Sequence, residues 1–387
     1  MSNFLYIRPR AIVREGRTIE GEIVLVEGDR IVAVGPDAEI EKPEGCKEII
    51  ADDMLLVPGF IDLQINGGFG SDFTAAPDSV WEVAAQLPRY GVTAFLPTII
   101  TSPAETMEAA REVMQIGPPA DFRGAIPLGL HLEGPFLSPE KRGAHNPAYL
   151  RLPTPEAVAG WSPETGVLLV TLAPELPGAL ATIGALVERG VVVSAGHSMA
   201  TADEAEAGFA GGISYGTHLF NAMPPLDHRA PGLAGALLAS NDVTVGLIAD
   251  GIHLHPDVVA LSWKAKGAAR FSLVTDAMAA LGMPPGQYRL GDWDVTVDGA
   301  AARLPDGRLA GSLLSLDQAV LNLVGFTGCE PAEALLTVTA VPAALLGIEE
   351  QRGHIAPGLQ ADLVLLTPEL EVVTTIVGGQ IVYSAPG

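Results

Sequence analysis

Acidic and imidazole side chains recur in this sequence at the ends of short apolar runs, and that placement is the first pointer to chemistry. Glu133 follows LGLHL, His197 follows VVVSAG, His218 follows GISYGT, and Asp276 follows FSLVT. Asp62, Gln64 and Asn66 alternate in one run, as do His131 and Glu133 in another, so each set shares one face of an extended strand. Asp250 and His253 close a further run, VTVGLIADGIH. One histidine after an apolar strand is commonly a satisfied polar terminus, but several on one rim form a ligand set. Glu133, His197 and His218 would give a divalent cation three protein ligands and leave a position open, the pattern of a catalytic site. Such an ion lowers the pKa of water and polarises a carbonyl. Asp276 is then the expected shuttle, taking a proton from the attacking water and passing it to the leaving group. His131 is either a partner that orients Glu133 or a buried spectator. Asp62 either holds backbone at the strand end or touches substrate.

These groups converge only if their strands run parallel. The runs LLVPGFIDLQIN, GVTAFLPTII, AIPLGLHLEG, VLLVTLAPE, VVVSAGHS, GISYGTHLFN, VTVGLIADGIH and FSLVTDA are separated by helix-like stretches such as SPAETMEAAREVMQ and HPDVVALSWKAKG. Continuous apolar strands alternating with helices indicate parallel strands buried on both faces. Eight such units predict a (β/α)8 TIM-like barrel, with its active site at the C-terminal ends of the strands. A doubly wound open sheet is the alternative, weakened by the lack of a Gly-x-Gly-x-x-Gly turn after the first strand. Both termini read differently. IVLVEGDRIVAVG alternates around a turn at Glu27–Asp29, and ADLVLLTPELEVVTTIVGGQIVYS has the same texture. The expected organisation is a small β-sandwich domain built from residues 1–57 and 351–387 around a metal-dependent hydrolase barrel at 58–350.

Composition narrows the function. The 387 residues are 48% hydrophobic and 18% charged, with a mean hydropathy of +0.32, which excludes intrinsic disorder. The 44 glycines and 31 prolines mark loops between short elements. A net charge of −24 argues against nucleic acid and anionic membrane as partners. Cys46 and Cys329 are too few for a disulfide scaffold and read as free thiols. No run approaches a membrane span, and MSNFLYIRPR lacks the pattern of a signal peptide, so a cytoplasmic protein is expected.

The stretches PGFIDLQINGGFGSDF, LGLHLEGPFLSPEKRGAHNP, SAGHSMATADEAEAG, THLFNAMPPLDHRAPGLAGA, IADGIHLHPD and VTDAMAALG, taken in order, resemble the N-acetylglucosamine-6-phosphate deacetylases, a family of the amidohydrolase superfamily. The similarity runs through all eight strands, and GHIAPGLQADLVLL is similar to the superfamily's C-terminal return into its β domain. VTDA alone is unspecific; HLEGPF, GAHNP and HLFNAMPP in sequence are not. The resemblance implies hydrolysis of the acetamide of N-acetyl-D-glucosamine 6-phosphate to D-glucosamine 6-phosphate and acetate. It implies Glu133, His197 and His218 as ligands of one divalent metal ion per subunit, with Zn²⁺ the first choice and Fe²⁺, Co²⁺ or Mn²⁺ compatible with the same donors. Asp276 is implied as general base and acid. Ala144 and His145 would lie beside the substrate, His145 positioning or polarising the carbonyl. Asn221 and Ala222 would meet the phosphate end, with Arg229 and His253 as further phosphate partners. Part of that grip would come from the neighbouring subunit of a homodimer. Leu309, Ala310 and Gly311 would line the acetyl pocket.

The His-x-His usual on the superfamily's first strand is here Gln64-Ile65-Asn66, and none of the five lysines ends a predicted strand. A mononuclear site is therefore expected. Other readings stay open. One is a deacetylase of N-acetylgalactosamine 6-phosphate; another is a different amidohydrolase such as a cyclic amidase, against which GAHNP and FNAMPPLDHR argue. A non-catalytic barrel subunit, or a sugar-phosphate-binding regulator, is opposed by the intact Glu133, His197, His218 and Asp276. Ser312 is expected to cap the helix LLSLDQAVLNLVG.

Overall fold

The computed structural model describes residues 3–386. Eight parallel strands form the core: Phe60–Ile65, Val92–Ile100, Leu130–Glu133, Val167–Leu172, Val192–Ala195, Tyr215–Gly216, Thr244–Leu247 and Phe271–Leu273. Each pairs with the next in parallel register, as in His131 with Thr98 and Ser194 with Tyr215. The ring closes where Ile65 bridges Ala277, reinforced by Asn66 N–H donating to the Ala277 carbonyl at 2.7 Å. A closed ring removes the open-sheet alternative. The strands are buried on both faces almost throughout, which is why they appear in the sequence as unbroken apolar runs.

The helices follow their local signals. Ala202–Ala210 starts at a reciprocal cap in which Thr201 and Glu204 satisfy one another's backbone N–H groups. Pro256–Lys266 opens on a proline at its first position and ends at Gly267. The stretch after the first strand is not one regular helix. Pro88 and Gly91 confine it to a short α-helix, Val80–Ala84, between 3₁₀ turns.

Strands from both termini form one mixed eight-stranded sheet, Phe4–Arg14 to Lys47–Pro58 joined by Leu363–Leu366, Val372–Val377 and Gln380–Ser384. The sheet folds over on itself, so Ile31 near one end and Ile376 near the other share a core with Ile7, Val24, Leu56 and Leu363. Its Lys47–Pro58 strand leads directly into the first barrel strand, with Gly59 N–H donating to the Asp362 carbonyl at the junction.

One element lies outside the expected plan. Gly286–Leu290, Trp293–Val297 and Ala302–Arg303 form a three-stranded antiparallel sheet inserted after the eighth strand. Its apolar face packs Leu290, Val295 and Val297 against Ile100, Met278 and Ala310 beside the barrel mouth.

Candidate active site

The residues that end the strands are turned into the mouth by an uncommon backbone conformation. His197, His218 and Asp276 have φ values of 49°, 30° and 48°, in the left-handed region that side-chain-bearing residues seldom occupy. Each such residue costs about 1–3 kcal/mol and persists only where the surroundings over-determine it. At Asp276 those surroundings are explicit. Its N–H donates to the Gln64 carbonyl at 2.8 Å, and its carbonyl accepts from Ser312 N–H at 2.8 Å. Ser312 is therefore a brace and not a helix cap. Its hydroxyl donates to the Thr275 carbonyl, and the following helix, Leu316–Thr327, begins after Ser315.

Glu133, His197 and His218 present ligand atoms that all lie within 4.8 Å of one another. Glu133 Oε1 is 3.0 Å from His218 Nε2 and 3.2 Å from His197 Nε2, and the two Nε2 atoms are 3.0 Å apart. His197 Nδ1 donates to the Lys141 carbonyl at 2.8 Å, which leaves Nε2 as the lone pair facing its neighbours. Burial would raise the Glu133 carboxyl, but His197, His145 and His218 outweigh it and hold the group well below the usual carboxylate range. A buried carboxylate with two imidazole lone pairs fits a divalent cation of borderline hardness.

Gln64 stands between Glu133 and Asp276. Its Nε2 donates to Glu133 Oε1 at 3.0 Å and to Asp276 Oδ1 at 3.2 Å, so one neutral amide bridges the two carboxylates. Asn66 Nδ2 also donates to Asp276 Oδ1, at 2.7 Å. With both amides on Oδ1, Oδ2 is the oxygen left to exchange a proton. Burial and the nearby Glu133 carboxylate push the Asp276 carboxyl up to about 6, against the pull of His218 and His253.

His145 stands opposite, its Nε2 3.5 Å from Glu133 Oε2. Thr101 N–H donates to His145 Nδ1 at 3.2 Å. The proton of a neutral ring is therefore on Nε2, and burial together with the facing His197 presses this imidazole down to about 4. His145 is a neutral N–H donor aimed into the site.

Asn66, Glu133, His145, His197, His218 and Asp276 line a cavity of about 430 Å³, together with Ala144, Asn221, Ala222, His253, Leu309 and Gly311. Asp250 accepts His253 Nδ1–H at 2.6 Å and fixes that ring. From His218 to Ala222 the backbone alternates in hand, with φ of 30°, 73° and 52° at His218, Phe220 and Ala222. Such alternation can form a concavity suited to anions, and with the Leu219 and Asn221 N–H groups spent on the Gly246 and His218 carbonyls, the N–H groups of Phe220 and Ala222 are the ones left to it. Ala310 is packed in the apolar cluster beneath the inserted sheet instead of lining the cavity. Arg229 is exposed on the 224–231 loop and is also absent from the cavity wall of its own chain. His131 bonds the Thr171 and Thr98 hydroxyls at 2.7 and 3.4 Å, a buried link below the site and not a brace for the Glu133 side chain. Asp62 accepts from the Thr275 hydroxyl at 2.6 Å and from Gln64 N–H at 3.2 Å, and it does not reach the cavity.

Cations on the wall went unrecognised in the sequence. Arg142 and Arg308 both line the cavity; Arg308 donates to the Gly143 carbonyl and Arg142 to the His145 carbonyl, at 3.2 Å for the latter. Arg308 is carried there by the turn that follows the inserted sheet, so the only available signal was its position immediately before the LAG stretch.

Comparison with known proteins adds to this geometry. The amidohydrolase family profile matches residues 55–382. A relative from Rattus norvegicus named N-acetylglucosamine-6-phosphate deacetylase is 39% identical over 390 residues, covering 96% of this chain and 91% of its own length. An N-acetylgalactosamine-6-phosphate deacetylase from Escherichia coli O157:H7 is 38% identical over 374 residues, covering 96% of this chain and 98% of its own length. Among solved structures, a mutant N-acetyl-D-glucosamine-6-phosphate deacetylase from Mycobacterium smegmatis in complex with N-acetyl-D-glucosamine-6-phosphate matches with a TM-score of 0.90 and 33% identity, over 99% of this chain and 100% of that one. No helix among the described residues is long and apolar enough to cross a membrane.

Proposed function

The chain belongs to the amidohydrolase family, within its N-acetylglucosamine-6-phosphate deacetylase group, and from that premise we infer that it hydrolyses the acetamide of N-acetyl-D-glucosamine 6-phosphate to D-glucosamine 6-phosphate and acetate. One observation carries the chemistry. The three-residue ligand set, a neutral N–H donor at His145 and a protonatable carboxylate at Asp276 all face one cavity.

Glu133, His197 and His218 would hold a divalent ion, with Zn²⁺ preferred for this donor set, and that ion would supply the Lewis acidity that makes water a nucleophile near neutral pH. Asp276 Oδ2 takes the proton of the attacking water, while Asn66 and Gln64 hold the other carboxylate oxygen in place. Negative charge builds on the former carbonyl oxygen, and His145 Nε2–H is placed to donate to it. Asp276 then returns its proton to the amine, which leaves poorly unless protonated. Leu309 and Gly311 line the side of the cavity taken to receive the acetyl methyl. Replacing His145 by alanine is expected to lower kcat by roughly 10²–10³-fold, as for loss of one preorganised donor. His145→Gln, which keeps an N–H, should retain more turnover than His145→Ala; equal losses in the two would count against the donor role.

The phosphate is assigned to the 218–222 concavity and His253, with Arg229 reaching it from the second subunit of a homodimer. The support for this is the exposure of Arg229 on a loop away from its own cavity and the need for a bidentate cation in a chain of net charge −24. Arg229→Ala should raise KM at least tenfold and leave kcat within about threefold. Mixed dimers of Arg229→Ala and Asp276→Asn should regain activity, because one site then has both Asp276 and its partner's arginine. No regain on mixing would return Arg229 to its own chain. The protein is taken to be cytoplasmic, in keeping with its two free cysteines. The second reading, the galacto epimer as substrate, rests on a relative of similar identity named for that substrate. Steady-state rates on both N-acetylhexosamine 6-phosphates decide it: a kcat/KM higher for the galacto substrate would overturn the assignment.

A further inference from the structure

A second cavity of about 250 Å³ lies behind the end of the second barrel strand and has no part in the mechanism above. Its lining is rich in unspent donors. Ser102 is 3% exposed, and no described residue gives its hydroxyl a hydrogen-bond partner; the same holds for the buried Nε1–H of Trp293, which also lines the cavity. Ser102 stands one residue before Pro103, the cap position of the helix Ala104–Ile116, whose first turn reaches the cavity wall through Pro103 and Thr106 and has no side-chain cap. A helix of this length carries partial positive charge at that end. Arg289 lines the mouth, bonded to the exposed Asp294 at 3.4 Å and to the Gly291 carbonyl, with the buried Asp72 carboxylate close enough to feel its charge. The single carboxylate on the wall, Asp292, accepts from Asn146 Nδ2 at 2.7 Å.

Two orphaned buried donors, an uncapped helix N-terminus and a guanidinium around one small volume describe a receptor for negative charge with several acceptor atoms. We propose that this cavity is a second binding site, for a small oxyanion: a short carboxylate such as the acetate the reaction would release, or inorganic phosphate. The acetate arm rests on the deacetylase reading; the site itself does not. Occupancy would be felt at the catalytic cavity. Ile100 lines both volumes, and Thr101, which lines the second, gives its N–H to His145.

The test is a fluorescence titration of the metal-loaded enzyme with acetate and, separately, with inorganic phosphate, each against chloride at matched ionic strength. A saturable change with either oxyanion is expected, absent in Trp293→Phe and shifted about tenfold or more to higher concentration in Ser102→Ala and Arg289→Gln. Both of these variants should keep the wild-type kcat/KM. Saturation by acetate alone would identify the product as ligand, and saturation by phosphate alone the free ion. A response shared by chloride, no saturable response, or midpoints unmoved in Ser102→Ala and Arg289→Gln would overturn the proposal. Because the readout does not use turnover, failure of the site and failure of the deacetylase reading are separable.

Discussion

Asp276→Asn should bind its metal normally and lose turnover by about three to four orders of magnitude. General acid–base catalysis is commonly worth roughly 10²–10⁴-fold, and the upper end is expected here because one carboxylate serves both halves of the reaction. Asparagine is nearly isosteric, and its side-chain oxygen can still accept from Asn66 and Gln64, so the mouth should keep its shape. The pH profile gives a second readout. The wild-type carboxyl must be ionised to accept a proton, and burial beside Glu133 raises it to about 6. Activity should therefore fall as pH drops through that titration, at a midpoint at or below this value once a bound cation adds its attraction for the carboxylate. The residual activity of Asp276→Asn should lack this acid limb. Acetate release with metal analysis on the same samples checks both. A variant that keeps more than a tenth of wild-type turnover would remove Asp276 from its role.

The second large effect is loss of the metal itself. Glu133→Gln preserves volume but deletes the only anion among the three ligands. Metal affinity should fall by at least about 10²-fold, since even the partners that merely orient ligands are typically worth 10–100-fold. Activity should fall in proportion and return in part at high metal concentration. Thermal unfolding separates this from misfolding. A cation that binds only the folded state stabilises it, so a chelator should lower the wild-type Tm and leave that of Glu133→Gln almost unmoved. A chelator-insensitive wild type, or a fully metallated Glu133→Gln, would contradict the ligand set.

The barrel was legible because its strands are buried on both faces, leaving runs such as VTAFLPTII with no polar alternation to confuse them. The same property placed Glu133, His197, His218 and Asp276, since a charged group ending an apolar run has few places to go except the rim. What escaped notice has no such period. The inserted sheet around Trp293 alternates over strands of only five residues, follows an irregular segment and is half exposed, so it merged into the barrel. Arg308 reaches the cavity only because that insertion exists. The left-handed backbone at His197, His218 and Asp276 was equally hidden, because none is a glycine and the conformation is imposed by neighbours such as Ser312. Ser312 itself was misread for that reason: its hydroxyl serves the strand end before it and not the helix after it.

The most direct test of the account is acetate release from N-acetylglucosamine 6-phosphate, measured across a metal titration of stripped protein, with unphosphorylated N-acetylglucosamine alongside. Activity should rise linearly and saturate at one equivalent of divalent metal per chain, and the unphosphorylated sugar should be poor. Saturation at two equivalents would contradict the mononuclear site built on Gln64 and Asn66, and no acetate from the fully metallated protein would contradict the deacetylase reading itself.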